Sequence, residues 1–176
     1  VLKKSKRSIR YNAPVNNLSC SSLVFVFYSC AFWFCLSLVV GPADAAIVAT
    51  GDVDPTDPAT WTSSTTGCVG KTGKGTMSIT SGCEVNSNDS CIGYESGSTG
   101  QVTVDGLGSN WTVRDNLSIG NKGNGTVYLN AGGVVSCEVG YVGYEVGSTG
   151  EVTVSGDRST WTNSSALYVG YGGEGR

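Results

Sequence analysis

Residues 143–154 read Gly143-Tyr144-Glu145-Val146-Gly147-Ser148-Thr149-Gly150-Glu151-Val152-Thr153-Val154, and fifty residues earlier the chain runs Gly93-Tyr94-Glu95-Ser96-Gly97-Ser98-Thr99-Gly100-Gln101-Val102-Thr103-Val104. Both stretches pass from a Gly-rich turn into an apolar–polar–apolar alternation, the period-two pattern of a β-strand. A shorter period runs beneath this one. Gly75, Gly100, Gly125 and Gly150 lie 25 residues apart, with Met77, Val102, Val127 and Val152 on the next apolar position and Ile79, Val104, Leu129 and Val154 on the one after. A period of this length is the size of one solenoid coil. Trp61, Trp111 and Trp161, each followed by Thr, recur every 50 residues, so one full unit is a pair of unlike coils.

The remaining punctuation completes the coil. A Val-Gly or Ile-Gly pair begins at residues 69, 92, 119, 142 and 169, in steps that alternate between 23 and 27, and corner glycines stand at Gly82, Gly106, Gly132 and Gly156. Short β-branched stretches separated by glycine corners predict three strands per coil and no helix. The expected fold is all-β, a parallel β-helix. Its core would be two inward ladders, one from Met77 to Val152 and one from Ile79 to Val154, with Ser78, Thr103, Tyr128 and Thr153 facing outward. A buried Val or Leu contributes about 1.5–3 kcal/mol, against roughly 1–2 kcal/mol of backbone entropy for each residue ordered. A single coil therefore gains stability only by stacking. A propeller blade of 50 residues is the rival architecture, and the inner 25-residue period argues against it.

Before the repeat the chain changes character. Residues 1–19 carry Lys3, Lys4, Lys6, Arg7 and Arg10 and no acid; 23–40 is an uncharged apolar run; Gly41-Pro42-Ala43-Asp44-Ala45 follows. A basic leader, an apolar core and an Ala-x-Ala site predict a secretory signal peptide over 1–45, cut after Ala45. The alternative is an uncleaved anchor, since 18 apolar residues approach the length of a membrane span. Residues 46–60, with Gly51, Pro55 and Pro58, form a lead-in or N-terminal cap, and 61–176 the solenoid. The last residues, Gly173-Glu174-Gly175-Arg176, stop inside a coil motif, so a truncated piece of a longer repeat protein is expected.

Five of the 11 basic residues but only one of the 14 acids lie in the leader, leaving 6 bases against 13 acids, net −7, in the mature part. That balance disfavours nucleic acid and anionic membrane as partners. Membrane contact is expected only through an uncleaved leader or a missing C-terminal anchor. His is absent, which removes the commonest general base and metal ligand.

Several motifs invite chemistry. Gly70-Lys71-Thr72-Gly73-Lys74-Gly75-Thr76 resembles a phosphate loop, but Thr65 holds the required first Gly position; no nucleotide and no other cofactor is expected. Asp52, Asp54 and Asp57 resemble the start of a calcium loop that Pro55 and Pro58 interrupt, so a capping turn and no metal are expected. Glu95 and Glu145 recur two coils apart, and paired carboxylates can cleave sugars, yet positions imposed by a repeat are usually structural; no catalytic residue is assigned. Trp111 and Trp161 carry two readings, a sugar-stacking platform or a large side chain filling a wide corner. Cys68 and Cys91 hold equivalent places on successive coils. They either form a disulfide or fill, as small residues, the position of Ser118, Tyr141 and Tyr168.

Taken with Trp161-Thr162-Asn163-Ser164 and Leu167-Tyr168-Val169-Gly170-Tyr171, the stretch from Gly143 to Val154 is similar to the repeat of bacterial autotransporter passengers and related PEP-CTERM-associated exported proteins. The similarity covers about residues 57–176. It implies a right-handed parallel β-helix displayed at or beyond the outer membrane, with no catalytic residues to carry over. The chain departs from the pattern in having Cys68 and Cys91 where the repeat tends to carry Tyr, and in lacking a C-terminal translocator barrel or sorting signal. The function expected is that of an exported, secreted or surface-displayed, non-enzymatic adhesin-like protein whose partners are glycans or cell surfaces. The alternative is a polysaccharide-active or glycan-binding β-helix.

Overall fold

The computed structural model describes residues 46–176; the expected signal peptide, with Cys20, Cys30 and Cys35, lies outside them. Fourteen strands follow in order: β1 (Ile47–Gly51), β2 (Val53–Asp54), β3 (Gly67–Val69), β4 (Lys74–Thr80), β5 (Glu84–Ser87), β6 (Ser90–Ile92), β7 (Thr99–Asp105), β8 (Asn110–Val113), β9 (Asn116–Ile119), β10 (Asn124–Asn130), β11 (Val134–Val142), β12 (Thr149–Val154), β13 (Thr160–Val169) and β14 (Glu174–Gly175), with one 3-10 turn at Pro58–Thr60. They stack as a parallel β-solenoid with three walls. β4, β7, β10, β12 and β14 form the first wall. β5, β8 and the first halves of β11 and β13 form the second. β3, β6, β9 and the second halves of β11 and β13 form the third.

The first wall has the register that the period implies. Met77 pairs with Val102, Val102 with Val127 and Val127 with Val152, and Ile79, Val104, Leu129 and Val154 pair likewise two residues on. Met77, Val102, Val127, Ile79, Val104 and Leu129 are buried, whereas Ser78, Thr103 and Tyr128 keep partial solvent contact. At the last rung the cover thins. Only the two residues of β14 pair beyond β12, and Val154 is 47 % exposed.

The alternating 23- and 27-residue steps come from the corners. First-wall strands keep a constant 25, but Gly70 to Gly75 spans a turn two residues shorter than Gly93 to Gly100, and the corners leading from Val104 to Trp111 and from Trp111 to Ile119 are each one residue longer than their counterparts at Ile79, Val85 and Ile92. In the third coil the second and third walls run together through β11, whose register against its neighbours shifts between Cys137 and Val139. The glycine that ends each third-wall strand has a left-handed backbone, with φ of 71° at Gly70, 68° at Gly93, 70° at Gly120, 73° at Gly143 and 70° at Gly170. Only glycine adopts that conformation at no steric cost.

At the first rung β1 lies antiparallel on β4, Ile47 opposite Ile79 and Ala49 opposite Met77, and β2 lies antiparallel on β3. The lead-in thus occupies sheet edges that would otherwise offer unpaired amides. Trp61 closes the core below. Its ring fills the space left by the missing side chain of Gly67, and its indole N–H donates to Pro55 O at 3.0 Å.

Candidate functional site

The outward face of the third wall concentrates the reactive and aromatic side chains. Because β3, β6, β9, β11 and β13 are in register there, Cys68, Cys91, Ser118, Tyr141 and Tyr168 form one outward column. Three residues further along each coil, at the turn into the first wall, Lys71, Tyr94, Asn121, Tyr144 and Tyr171 form a second, held at coil spacing by bonds such as Tyr94 N–H to Gly70 O and Tyr144 N–H to Gly120 O.

In the last two coils the columns become a block of four phenols. Tyr141 stacks on Tyr168 with centroids 5.2 Å apart and planes 12° from parallel, and Tyr144 stacks on Tyr171 at 5.5 Å and 8°. Between the columns the contacts are edge-to-face, 4.7 Å for Tyr141 with Tyr144 and 5.4 Å for Tyr168 with Tyr171. Both arrangements suit the ring quadrupole. Burial, and then the neighbouring phenols Tyr144, Tyr168 and Tyr171, push the Tyr141 hydroxyl above the usual tyrosine range.

In the first three coils the first column holds the short side chains of Cys68, Cys91 and Ser118, and a groove of about 360 Å³ opens there. Cys68 and Cys91, joined in a disulfide with Cα atoms 4.7 Å apart, lie in it. Tyr94, Asp89, Asn116, Ser118 and Asn121 also line it. Asp89 accepts from Asn116 Nδ2 at 3.0 Å and from Asn88 Nδ2 at 2.8 Å. Lys71 is tied to Asp54 at the groove's end. Lys122 Nζ stands 6.0 Å from the Tyr94 ring centroid, at the outer limit of a cation–π contact.

Of the two readings of the tryptophans, the wide-corner one holds for Trp111. Trp111 is fully buried and so is unavailable as a sugar platform. It stands in an inward column Val85–Trp111–Val135–Trp161, where the indole fills the wider corner of its coil between two valines. Trp161, in the same column, is half-buried against the core, and its indole N–H donates to the Cys137 sulfur at 3.4 Å. Gly140 gives it room, since a Cβ there would meet its ring.

Other sequence motifs have structural duties. The phosphate-loop lookalike holds an anion from its own chain: Asp52 accepts the backbone N–H groups of Thr72 and Gly73, each at 2.6 Å. Those bonds, Thr72's first, hold the Asp52 carboxyl below the usual range. Asp57 caps the 3-10 turn through Ala59 N–H at 3.1 Å. Glu95 and Glu145 are exposed on their turns and do not line the groove. Their main-chain carbonyls accept from the buried hydroxyls of Ser98 and Ser148, both at 2.7 Å, which fasten each turn. Among the described residues no cluster of three metal-ligating side chains occurs, and no helix is long and apolar enough to cross a membrane.

In the sequence Tyr141 and Tyr168 stand out only as equivalents of Cys68 and Cys91, and the array emerges with the fold. The available signal was the second set, Tyr94, Tyr144 and Tyr171, each one residue after a turn glycine.

The fold and site together define a parallel β-solenoid with an aromatic and polar wall. No protein-family model matches the chain, and no curated protein or solved structure matches it either.

Proposed function

We propose that this is an exported, non-catalytic repeat protein of the adhesin kind, in the manner of an autotransporter passenger, which presents the third wall to glycans of surfaces or other cells. The observation that supports this reading is the phenol block of Tyr141, Tyr144, Tyr168 and Tyr171, set at coil spacing on a rigid wall. Tyrosine offers an apolar face and a polar tip, the combination that a sugar ring meets with its C–H face and its hydroxyls. Coils repeat every ~4.8 Å, so contacts to a polymer add along the wall and strength grows with the length engaged. The polysaccharide-cleaving alternative needs a carboxylate pair facing bound sugar, and the repeated pair Glu95 and Glu145 stands outside the groove.

Expression of the full chain in a Gram-negative bacterium tests export. Recovery outside the inner membrane of a chain beginning at Ala46 is the expected result, and an intact chain retained in the cytoplasm overturns it. Co-sedimentation with insoluble polysaccharides, combined with reducing-end and unsaturated-product assays, tests the rest. Retention without released product is expected; turnover lost in Glu95→Gln or Glu145→Gln would promote the enzyme.

A further inference from the structure

Resting on that glycan-presenting reading, we infer that the groove lined by Tyr94, Asp89, Asn116, Ser118 and Asn121 is a binding site for a neutral saccharide. Tyr141 spends one ring face on Tyr168. Its other face is turned to the preceding coil, where the residue in register is Ser118, too short to cover a phenol. Tyr144 likewise stacks on Tyr171 and has Asn121 as its counterpart one coil earlier. The phenol block therefore stops at Ser118 and Asn121, and both of these line the groove. Tyr94 lines it too.

Beside Tyr94 the lining is polar. The Ser118 hydroxyl, the Asn116 and Asn121 amides and the Asp89 carboxylate supply donors and acceptors side by side, which is what adjacent sugar hydroxyls require. The volume of about 360 Å³ falls in the range of small-ligand sites, ~300–1,000 Å³. Charge selects against acidic sugars: the lining cation, Lys71, is already paired with Asp54, and Asp89 repels a carboxylate. The disulfide from Cys68 to Cys91 ties two adjacent coils beneath the site, so the floor is set before ligand arrives, which lowers the ordering cost of binding.

The test uses the full chain with cellotriose, chitotriose and maltotriose as probes, read by saturation-transfer NMR, alongside the polysaccharide co-sedimentation. At least one trisaccharide is expected to bind, with affinity roughly millimolar, in keeping with a shallow site. Asn121→Ala and Tyr94→Ala are expected to weaken it about tenfold, the loss of one hydrogen bond or one stacking face, while Thr103→Ala on the first wall leaves it unchanged. Circular dichroism verifies the fold of each variant, and Asn121→Ala, at a partly exposed turn, carries the test if Tyr94→Ala misfolds. Retention on polysaccharide that survives both groove variants overturns the groove site and leaves the glycan reading standing. Binding lost only in Tyr171→Ala also overturns it, by moving the contact to the far end of the array. A wild-type chain that binds neither trisaccharide nor polysaccharide overturns both.

Discussion

Asp52 accepts the backbone N–H of Thr72 at 2.6 Å across a separation of 20 residues, and so joins the lead-in to the first turn of the solenoid. Successive amides in a tight turn form a nest that favours an anion, and here the anion is intramolecular. The Asp52 carboxyl is held below its ordinary range by the Thr72 and Gly73 amides. The folded state therefore favours the ionised form, and its contribution is fully present above the unfolded value near 4 and lost as pH falls through the lower folded value. Asp52→Ala is expected to cost on the order of 1 kcal/mol, the turn being open to solvent, and to flatten the acid limb of a stability–pH profile. An unchanged acid limb would rule the nest out as its source.

The two inward ladders give a sharper contrast. Val102 is completely buried, with Met77 and Val127 above and below it, whereas its neighbour Thr103 faces outward between Ser78 and Tyr128. Val102→Asp or Val127→Asp places an unpaired charge in a narrow core, a cost of several kcal/mol, and is expected to abolish folding. Thr103→Asp should cost under about 1 kcal/mol. Circular dichroism melts separate the two, and equal damage from both would invert the assignment of faces.

How legible the molecule was follows from these same residues. The ladders could be read because strand alternation and a constant 25-residue step both point Val102 inward. Trp111 could not be placed by recurrence alone. Its direction depends on the longer corner of its coil, which sets the indole between Val85 and Val135. The groove was still harder to see, since it depends on which side chains are short at one height of the wall: Ser118 precedes one run of tyrosine and Asn121 interrupts the other, and the sequence scatters these residues from 94 to 171. The antiparallel lead-in carried no repeat signal, and Ile47–Gly51 becomes a strand through its pairing with β4.

The bond between Cys68 and Cys91 closes a loop of 23 residues between adjacent coils. Loop-closure entropy for that length corresponds to about 3 kcal/mol. Cys68→Ala with Cys91→Ala is expected to lower the unfolding free energy by about that amount in a denaturant titration, and to loosen the floor of the groove. A loss well below 1 kcal/mol would place the constraint elsewhere in the stack.

Backbone strain offers a change in the other direction. Arg158, at φ 64°, occupies the corner place that Gly108 holds in an earlier coil at φ 82°, and Ala131 has φ 47°. A left-handed backbone costs a residue with a Cβ about 1–2 kcal/mol, partly offset by the greater unfolded entropy of glycine. Arg158 is exposed, and Arg158→Gly is expected to stabilise by up to about 1 kcal/mol, seen as a raised melting temperature. Destabilisation would show that the side chain contributes more than the strain it imposes.

The phenol block predicts a limit at the alkaline end. Burial and the neighbouring rings raise the Tyr141 hydroxyl above its ordinary value near 10, because a phenolate there would lose water and face three further phenols. The unfolded chain therefore releases this proton first. Stability contributed by the neutral group is fully present below the ordinary value and is lost as pH rises through the higher folded one. Spectrophotometric titration should show one tyrosine ionising late, together with unfolding. Tyr141→Phe keeps the ring stacked on Tyr168 but removes the ionisable group, so its alkaline unfolding midpoint should move to higher pH. Identical midpoints for the two chains would mean that some other group sets the alkaline limit.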